Sequence, residues 1–403
     1  MPKLPSILKR ISSIFSKKKP NIIMILIDGA RYDVVDKLQF YQELRKESVF
    51  FPQLITYAPY TIASLHATFS GMYGNRNGVN GYYKSYSFDK ENCMTLAQYL
   101  KQNGYYTECD LIRGDTIPGQ GFDKSRVHDE FNDDLVERHS EILAQIKSKQ
   151  PFFLFLDYSK IHTNLVANVI KKYSDFDKEY FNNRENNLKA YTGWVEESGR
   201  YLNSILSKLK SLALWDNSII LIFNDHGGGV GDRIGEKVYG VYLYDYTIRC
   251  FLYAMGSAFP KGIEVKNLVR SIDIMPTILD MLKIREKDGF KKMQGASFLN
   301  LIRGSADTAD GSADDRIAYS ETGGLGGPTP SPDKHNVKAV RTSKWKLIYN
   351  ETNKLKELYD LESDKEEKNN LIGKHPGIEN YLWEKLKSWQ ESNGKDNNGK
   401  NKL

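Results

Sequence analysis

Two apolar runs in this chain are each followed within two residues by an aspartate. Asp28 follows the run 22–27 and opens Asp28-Gly29-Ala30-Arg31-Tyr32-Asp33. Asp225, joined to His226, follows the run 218–223 and precedes Gly227, Gly228 and Gly229. Short apolar runs bounded by turn residues read as strands buried on both faces, and a carboxylate just past such a strand emerges at its carboxyl end, where open α/β sheets place ligands. Two carboxylates and an imidazole converging above one sheet form a donor set for a divalent cation. The glycines beside the Asp-His pair allow close approach of backbone or ligand. An Asp-His pair on its own also serves as a turn or cap, so its pairing with Asp28 carries the argument.

A third element is Ala58-Pro59-Tyr60-Thr61-Ile62-Ala63-Ser64-Leu65-His66. Thr61 stands where a proline-bearing loop gives way to a helix, a position suited to an N-cap and equally to a nucleophile beside an anion-binding helix end. On the residues alone the cap is the simpler reading.

The elements that must position these groups alternate along the chain. Apolar strands are expected at 22–27, 105–111, 152–156 and 218–223, and helices at 34–46, 95–103, 188–212 and 265–283. That alternation predicts an α/β fold with a central sheet covered on both faces by helices. Residues 304–315 shift to Gly, Ser, Ala and Asp, and 323–332 are rich in Gly and Pro, which places a boundary near 305. The expected organisation is a basic amphipathic helix over 1–19, a catalytic α/β domain over 20–305, a small sheet-plus-helix subdomain over 306–392 and a disordered tail over 393–403. In the smaller unit, strands are expected at 337–341, 345–349 and 357–359, followed by a helix carrying Ile378, Tyr381, Leu382, Leu386 and Trp389.

Composition bounds the remaining classes. With 403 residues, 40% hydrophobic and 27% charged, the chain is long enough to bury a core and is not disordered. The net charge of +6 comes from basic residues near the two ends, so nothing points to nucleic acid. Cys93, Cys109 and Cys250 lie at no metal-ligand spacing and suit a reducing compartment as core thiols. The run 22–27 is far shorter than the ~18 residues of a membrane span. At the N-terminus, Leu4, Ile7, Leu8, Ile11, Ile14 and Phe15 share one helical face, opposite Lys9, Arg10 and Lys17. Two readings stand open for it. One is adsorption to an anionic membrane surface, each basic residue adding ~1 kcal/mol, which would make the protein cytoplasmic and peripheral on the inner membrane face. The other is a helix packed on the domain or a frayed leader.

Taken together and in order, several segments resemble the sulfatase-like branch of the alkaline phosphatase superfamily. They are Ile27 to Asp33; Thr61 to Val79, with Ser70-Gly71-Met72-Tyr73-Gly74; Thr95 to Tyr105; Leu214 to Ser218 running into Asn224-Asp225-His226-Gly227; Ser271 to Asp280; and Arg341 to Ile348 followed by Glu357 to Leu361. The resemblance implies a large α/β domain with a small C-terminal subdomain and one divalent metal, Mn, Mg, Ca or Zn, held by Asp28, Thr61, Asp225 and His226. Thr61 falls on the family's nucleophile position, and Lys237 resembles its cation for the substrate's oxyanion. His162 resembles the family's histidine at a strand end, as leaving-group acid or second-metal ligand; a plain loop histidine is the other open reading. A second metal would have only Asp157, His162 and His335 to draw on. His335 lies in the loop before residue 337, with two readings open: a substrate contact reaching back over the site, or a surface-loop histidine.

Departures from the pattern bear on the substrate. A sulfatase of this family needs a Cys or Ser that becomes formylglycine, with Pro two positions on and Arg two beyond that; here the residues are Thr61, Ala63 and Leu65. Threonine cannot yield that aldehyde. The Gly-Lys-Trp-His block expected after 105–111 is replaced by Ile112-Arg113-Gly114-Asp115, leaving Arg113 as the candidate substrate contact. Relatives with a threonine nucleophile act on phosphorus esters. The expectation is therefore a metal-dependent hydrolase or transferase of phosphodiesters or phosphomonoesters, lipid- or glycan-linked, through a phospho-threonine on Thr61. A sulfuric ester hydrolase and a non-catalytic anion- or glycan-binding relative are the alternatives. His66 is expected in the core, and His128, His139 and His375, flanked by charge, in solvent.

Overall fold

Side chains alternate between two cores along Asn21–Ile27: Ile22, Met24 and Leu26 enter one apolar cluster, and Ile23, Ile25 and Ile27 the other. A strand with no polar face must be covered on both sides, and that requirement organises the chain. The computed structural model describes residues 18–82, 84–302, 316–323 and 336–393. The helix expected over 1–19 lies outside them apart from Lys18 and Lys19, as do His335 and the tail beyond Asn393.

The main sheet contains β1 (Asn21–Ile27), β2 (Val49–Ile55), β3 (Tyr106–Leu111), β4 (Lys124–Val127), β5 (Phe152–Tyr158), β6 (Ser218–Phe223), β7 (Arg249–Met255), β8 (Ile263–Glu264) and β9 (Val269–Arg270), in the order β4-β3-β5-β1-β6-β7-β2-β8, with β9 also on β2. The five strands from β4 to β6 run parallel, while β7 is antiparallel to both β6 and β2. The expected central sheet is thus a mixed one. The helices that cover it and matter for the site are α1 (Thr61–Ser70), α2 (Leu96–Gln102), α3 (Leu135–Ile146), α4 (Lys160–Leu165), α5 (Arg184–Ser211) and α6 (Ile274–Met281). Thr95 starts α2 with a capping box closed by Gln98. Cys93, Cys109 and Cys250 are buried thiols. Among the described residues no helix is long and apolar enough to cross a membrane.

Three expectations need correction. The helix expected over 34–46 is two short ones, Tyr32–Val35 and Gln39–Lys46, because Leu38 between them takes extended backbone (ψ 130°). Strand β2 went unrecognised, since Pro52 argues against a strand; the chain accommodates it at a register shift between Phe51 and Leu54. The helix expected over 265–283 is confined to α6 and a preceding 3-10 turn at Ser271–Asp273, the residues before it having joined β2 as β9.

The smaller unit is an antiparallel sheet of β10 (Ala318–Thr322), β11 (Val337–Arg341), β12 (Trp345–Asn350) and β13 (Leu355–Asp360), backed by α7 (Pro376–Asn393). Leu382, Leu386 and Trp389 of α7 join Val340, Leu347 and Leu358 in the larger core, and the Trp389 ring stacks on Tyr319 at 4.6 Å. A buried ionic cluster ties this sheet to the first: Arg341 and Lys346 both reach Asp245, and Lys346 also meets Glu367 at 2.6 Å.

Candidate active site

Because β5, β1 and β6 are adjacent and parallel, their carboxyl ends come together. Asp157 occupies the end of β5, Asp28 follows β1, and Asp225 and His226 follow β6, all four buried. Gly29, directly after Asp28, has φ +75°, a left-handed conformation that glycine adopts without strain. Gly227, directly after His226, runs so close to the Tyr246 carbonyl that a Cβ would sit 2.1 Å from its oxygen. Both chain turns that bring the site together therefore depend on a missing side chain.

Thr61 reaches the same place from above. The residue capping α1 is Tyr60, extended and without a side-chain cap, so the Thr61 hydroxyl is not engaged in capping. It stands 3.2 Å from His226 Nε2. Ser64, one turn on, donates to the Asp225 carbonyl at 2.9 Å and pairs with Thr56 Oγ1 at 2.6 Å, which fixes the helix start against β6.

The hydrogen bonds around these groups leave a specific gap. His226 Nδ1 donates to the Gly227 carbonyl at 2.7 Å, so in the neutral ring Nε2 carries a lone pair. Asp225 Oδ1 accepts from Gly29 N at 3.2 Å and His226 N at 2.9 Å. Asp225 Oδ2 and both oxygens of Asp28 are buried without a hydrogen-bond partner. Orphaned buried acceptors are rare and cost about 1–3 kcal/mol each. These face the lone pair of His226: Nε2 is 3.4 Å from Asp225 Oδ2 and 3.8 Å from Asp28 Oδ1. One ligand atom from each of Asp28, Asp225 and His226 falls within a 4.8 Å cluster. Burial pushes the Asp28 carboxyl far above the usual carboxylate range, and Asp225, Asp157 and Glu130 push it further. A contact with the Thr61 hydroxyl pulls slightly the other way, short of hydrogen-bond geometry. A group of acceptors this crowded and this dry fits a divalent cation, whose charge would offset both the burial and the mutual repulsion.

His162 stands on α4 with Nδ1 3.9 Å from Asp28 Oδ2; burial, and after it His226, push its pKa down to about 4. Arg113 is on the rim, paired with Asp115 at 2.9 Å, and its charge reaches His162. The Lys237 ammonium donates to the carbonyls of Tyr173 at 2.7 Å and Ile170 at 3.2 Å, an engagement that the expected role as the substrate's cation did not anticipate. Of the trio considered for a second metal, Asp157 accepts from Ile112 N at 3.1 Å through one oxygen and leaves the other orphaned; burial pushes its carboxyl up to about 7, with Asp225 and Asp110 adding.

A second group of ligand-type residues, Asp110, His128 and His139, is a closed network. Asp110 Oδ2 meets His128 Nδ1 at 3.1 Å and His139 Nε2 at 3.0 Å, and Arg138 binds both its oxygens. The outer nitrogens reach Ser159 Oγ at 2.8 Å and Tyr201 OH at 2.7 Å. With a guanidinium present and every atom paired, no cation is called for. This corrects the expected solvent exposure of His128 and His139, which are 3% and 0% exposed. Their charged neighbours misled because one of them, Arg138, itself turns inward to Asp110. His66 is buried against Phe88 as expected, and His375 is exposed.

Sequence reasoning also missed Tyr239. Its ring packs on His226 with centroids 4.7 Å apart and its hydroxyl lies 3.4 Å from His162 Nδ1. The available signal was four tyrosines in eight residues, Tyr239 to Tyr246, within a loop of no apolar period.

The chain belongs to the sulfatase family: the family's profile matches residues 20–284, and that of the N-sulphoglucosamine sulphohydrolase C-terminal region matches 240–392. Human arylsulfatase K is 29% identical over 211 residues, half of this chain and 37% of that protein. The chain thus spans little more than a third of the length of the first curated relatives it matches. A 2-O GAG sulfatase superposes with a TM-score of 0.75 at 18% identity, covering 93% of each chain. The phosphonate monoester hydrolase of Agrobacterium radiobacter superposes with a TM-score of 0.69 at 15% identity, covering 93% of this chain and 96% of its own. At such identities the two superpositions speak to fold. Sulfatase-family membership places the chain within the alkaline phosphatase superfamily.

Proposed function

We propose that the protein cleaves or transfers a phosphorus ester with Thr61 as the attacking group, Asp28, Asp225, His226 and Thr61 itself holding a divalent cation. The observation that carries this reading is the Thr61 hydroxyl, uncommitted to capping and 3.2 Å from His226 Nε2, beside three orphaned carboxylate oxygens. When bound, the cation supplies positive charge that favours ionisation of the threonine hydroxyl and neutralises the substrate's oxyanion. Thr61 loses its proton to solvent and its oxygen forms a bond to phosphorus while the bond to the leaving oxygen breaks. Backbone N–H groups at the start of α1 face the oxyanion, as helix N-termini do. His162 presents an N–H to the departing oxygen, and Arg113 offers charge at the rim. The phosphoryl group then passes from Thr61 to water or to an acceptor alcohol.

A sulfuric ester hydrolase is the second reading, and the names of the relatives favour it over the first. Against it stands the chemistry of residue 61: a threonine side chain has no primary carbon to become the aldehyde hydrate. A lipid- or glycan-linked substrate would suit the basic N-terminal segment if that segment contacts a membrane. Acid quenching during turnover of a phosphodiester, followed by peptide mass spectrometry, tests the proposal. A phosphoryl group on the peptide containing Thr61 is expected, and its absence during steady turnover contradicts it.

A further inference from the structure

One tyrosine touches both imidazoles that face the orphaned carboxylates. The Tyr239 ring lies on His226, and its hydroxyl is 3.4 Å from His162 Nδ1. Tyr239 is 4% exposed, and its loop is held by Glu236, which accepts from Val241 N and Tyr242 N at 2.8 Å and from Tyr246 OH at 2.6 Å.

We propose that Tyr239 is a positioning residue for His162: its hydroxyl donates to Nδ1 and holds the ring in the Nε2–H form, so that the N–H is offered on the edge turned away from Asp28. The inference rests on the reading that His162 meets the leaving oxygen. Nδ1 faces Asp28 Oδ2 at 3.9 Å, so the two tautomers differ in what they show the carboxylate. With the proton on Nδ1, a positive edge points at the oxygen that would hold the cation. With the proton on Nε2, Nδ1 accepts a hydrogen bond, and the Tyr239 hydroxyl 3.4 Å away is a donor within reach. Burial holds the Tyr239 phenol protonated at any pH near neutral, so it remains a donor. His226 takes the opposite form, its Nδ1–H fixed on the Gly227 carbonyl. One ring is thus arranged as an acceptor toward the cation and the other as a donor toward the substrate, and Tyr239 fixes the spacing between them.

The test uses the full chain labelled with 15N-histidine. The protein has seven histidines, and the His162 signals are identified by their loss in His162→Gln. Long-range 1H–15N spectra of the wild type are expected to show His162 as the Nε2–H tautomer, and Tyr239→Phe, which keeps the ring on His226, is expected to shift it toward a mixture. A wild-type Nδ1–H tautomer, or identical His162 signals in Tyr239→Phe, overturns the proposal. In turnover, Tyr239→Phe is expected to lower kcat about 10-fold at unchanged KM, with no further loss when added to His162→Gln. A full additional loss in the double variant also overturns it. Should the wild type turn over no ester, the functional reading fails and the spectra alone decide the positioning role.

Discussion

Thr61 Oγ1 lies 3.2 Å from His226 Nε2, although one residue belongs to a helix start and the other to the loop after a strand 165 positions later. Nothing in helix geometry requires that approach, since Tyr60 occupies the cap. What holds it is a short chain of contacts, from the Ser64 hydroxyl to the Asp225 carbonyl and from Asp225 Oδ1 to the amides of Gly29 and His226. Helix, carboxylate and imidazole are locked to one another before any ligand arrives.

Cation binding should stabilise the protein, and Asp28 should be the group that senses it. At a hundred times its Kd a cation adds about 2.7 kcal/mol. Thermal melts with Mn, Mg, Ca and Zn are expected to show a rise in Tm for at least one of them, absent in Asp28→Asn and Asp225→Asn. Without added metal at pH 8, Asp28→Asn should melt above the wild type, because it removes a carboxylate that burial and Asp225 disfavour.

The loop that carries Tyr239 should respond to pH through Glu236. Burial pushes this carboxyl from about 4.5 up to about 7, against hydrogen bonds from Tyr246, Tyr242 and Val241. Folding raises the pKa, so the stability the protonated group contributes is complete below about pH 4.5 and is lost as pH rises through 7. The Tm of the wild type should therefore fall relative to that of Glu236→Gln between pH 5 and pH 8. Parallel curves would show that Glu236 is not the titrating group.

Lys346 should be a strong anchor between the two sheets. Its ammonium is fully buried and meets Asp245 and Glu367, each at 2.6 Å, and the Leu243 carbonyl at 3.1 Å. Lys346→Met leaves two carboxylates buried with less compensation, and is expected to cost about 3–5 kcal/mol in urea unfolding. A loss below about 1 kcal/mol would mean that the cluster rearranges around the gap.

Much of the site was legible because its residues sit where the apolar pattern stops. Asp28 and Asp225-His226 announce themselves at the ends of buried strands, and Thr61 by its place before a helix within a familiar segment order. The parts that escaped are those whose position is set by long-range contacts. Tyr239 sits in a loop of no period, fixed by the carboxylate of Glu236. His128 and His139 face inward because Asp110, on the neighbouring strand, gathers them. Pro52 hid β2, an edge-like residue carried inside the sheet at a bulge. Lys237 adds a detail that segment order does not carry: its ammonium donates to the Ile170 and Tyr173 carbonyls, contacts made across more than sixty residues of chain.

The most direct measurement is a comparison of kcat/KM for chromogenic phosphodiester, phosphomonoester, phosphonate and sulfate esters, for wild type and Thr61→Ala with each divalent metal. Phosphorus esters should be turned over in preference to sulfate, and Thr61→Ala should lower that turnover at least about 10³-fold. Preferential sulfate hydrolysis, or phosphorus-ester turnover that survives loss of the hydroxyl, would contradict the account.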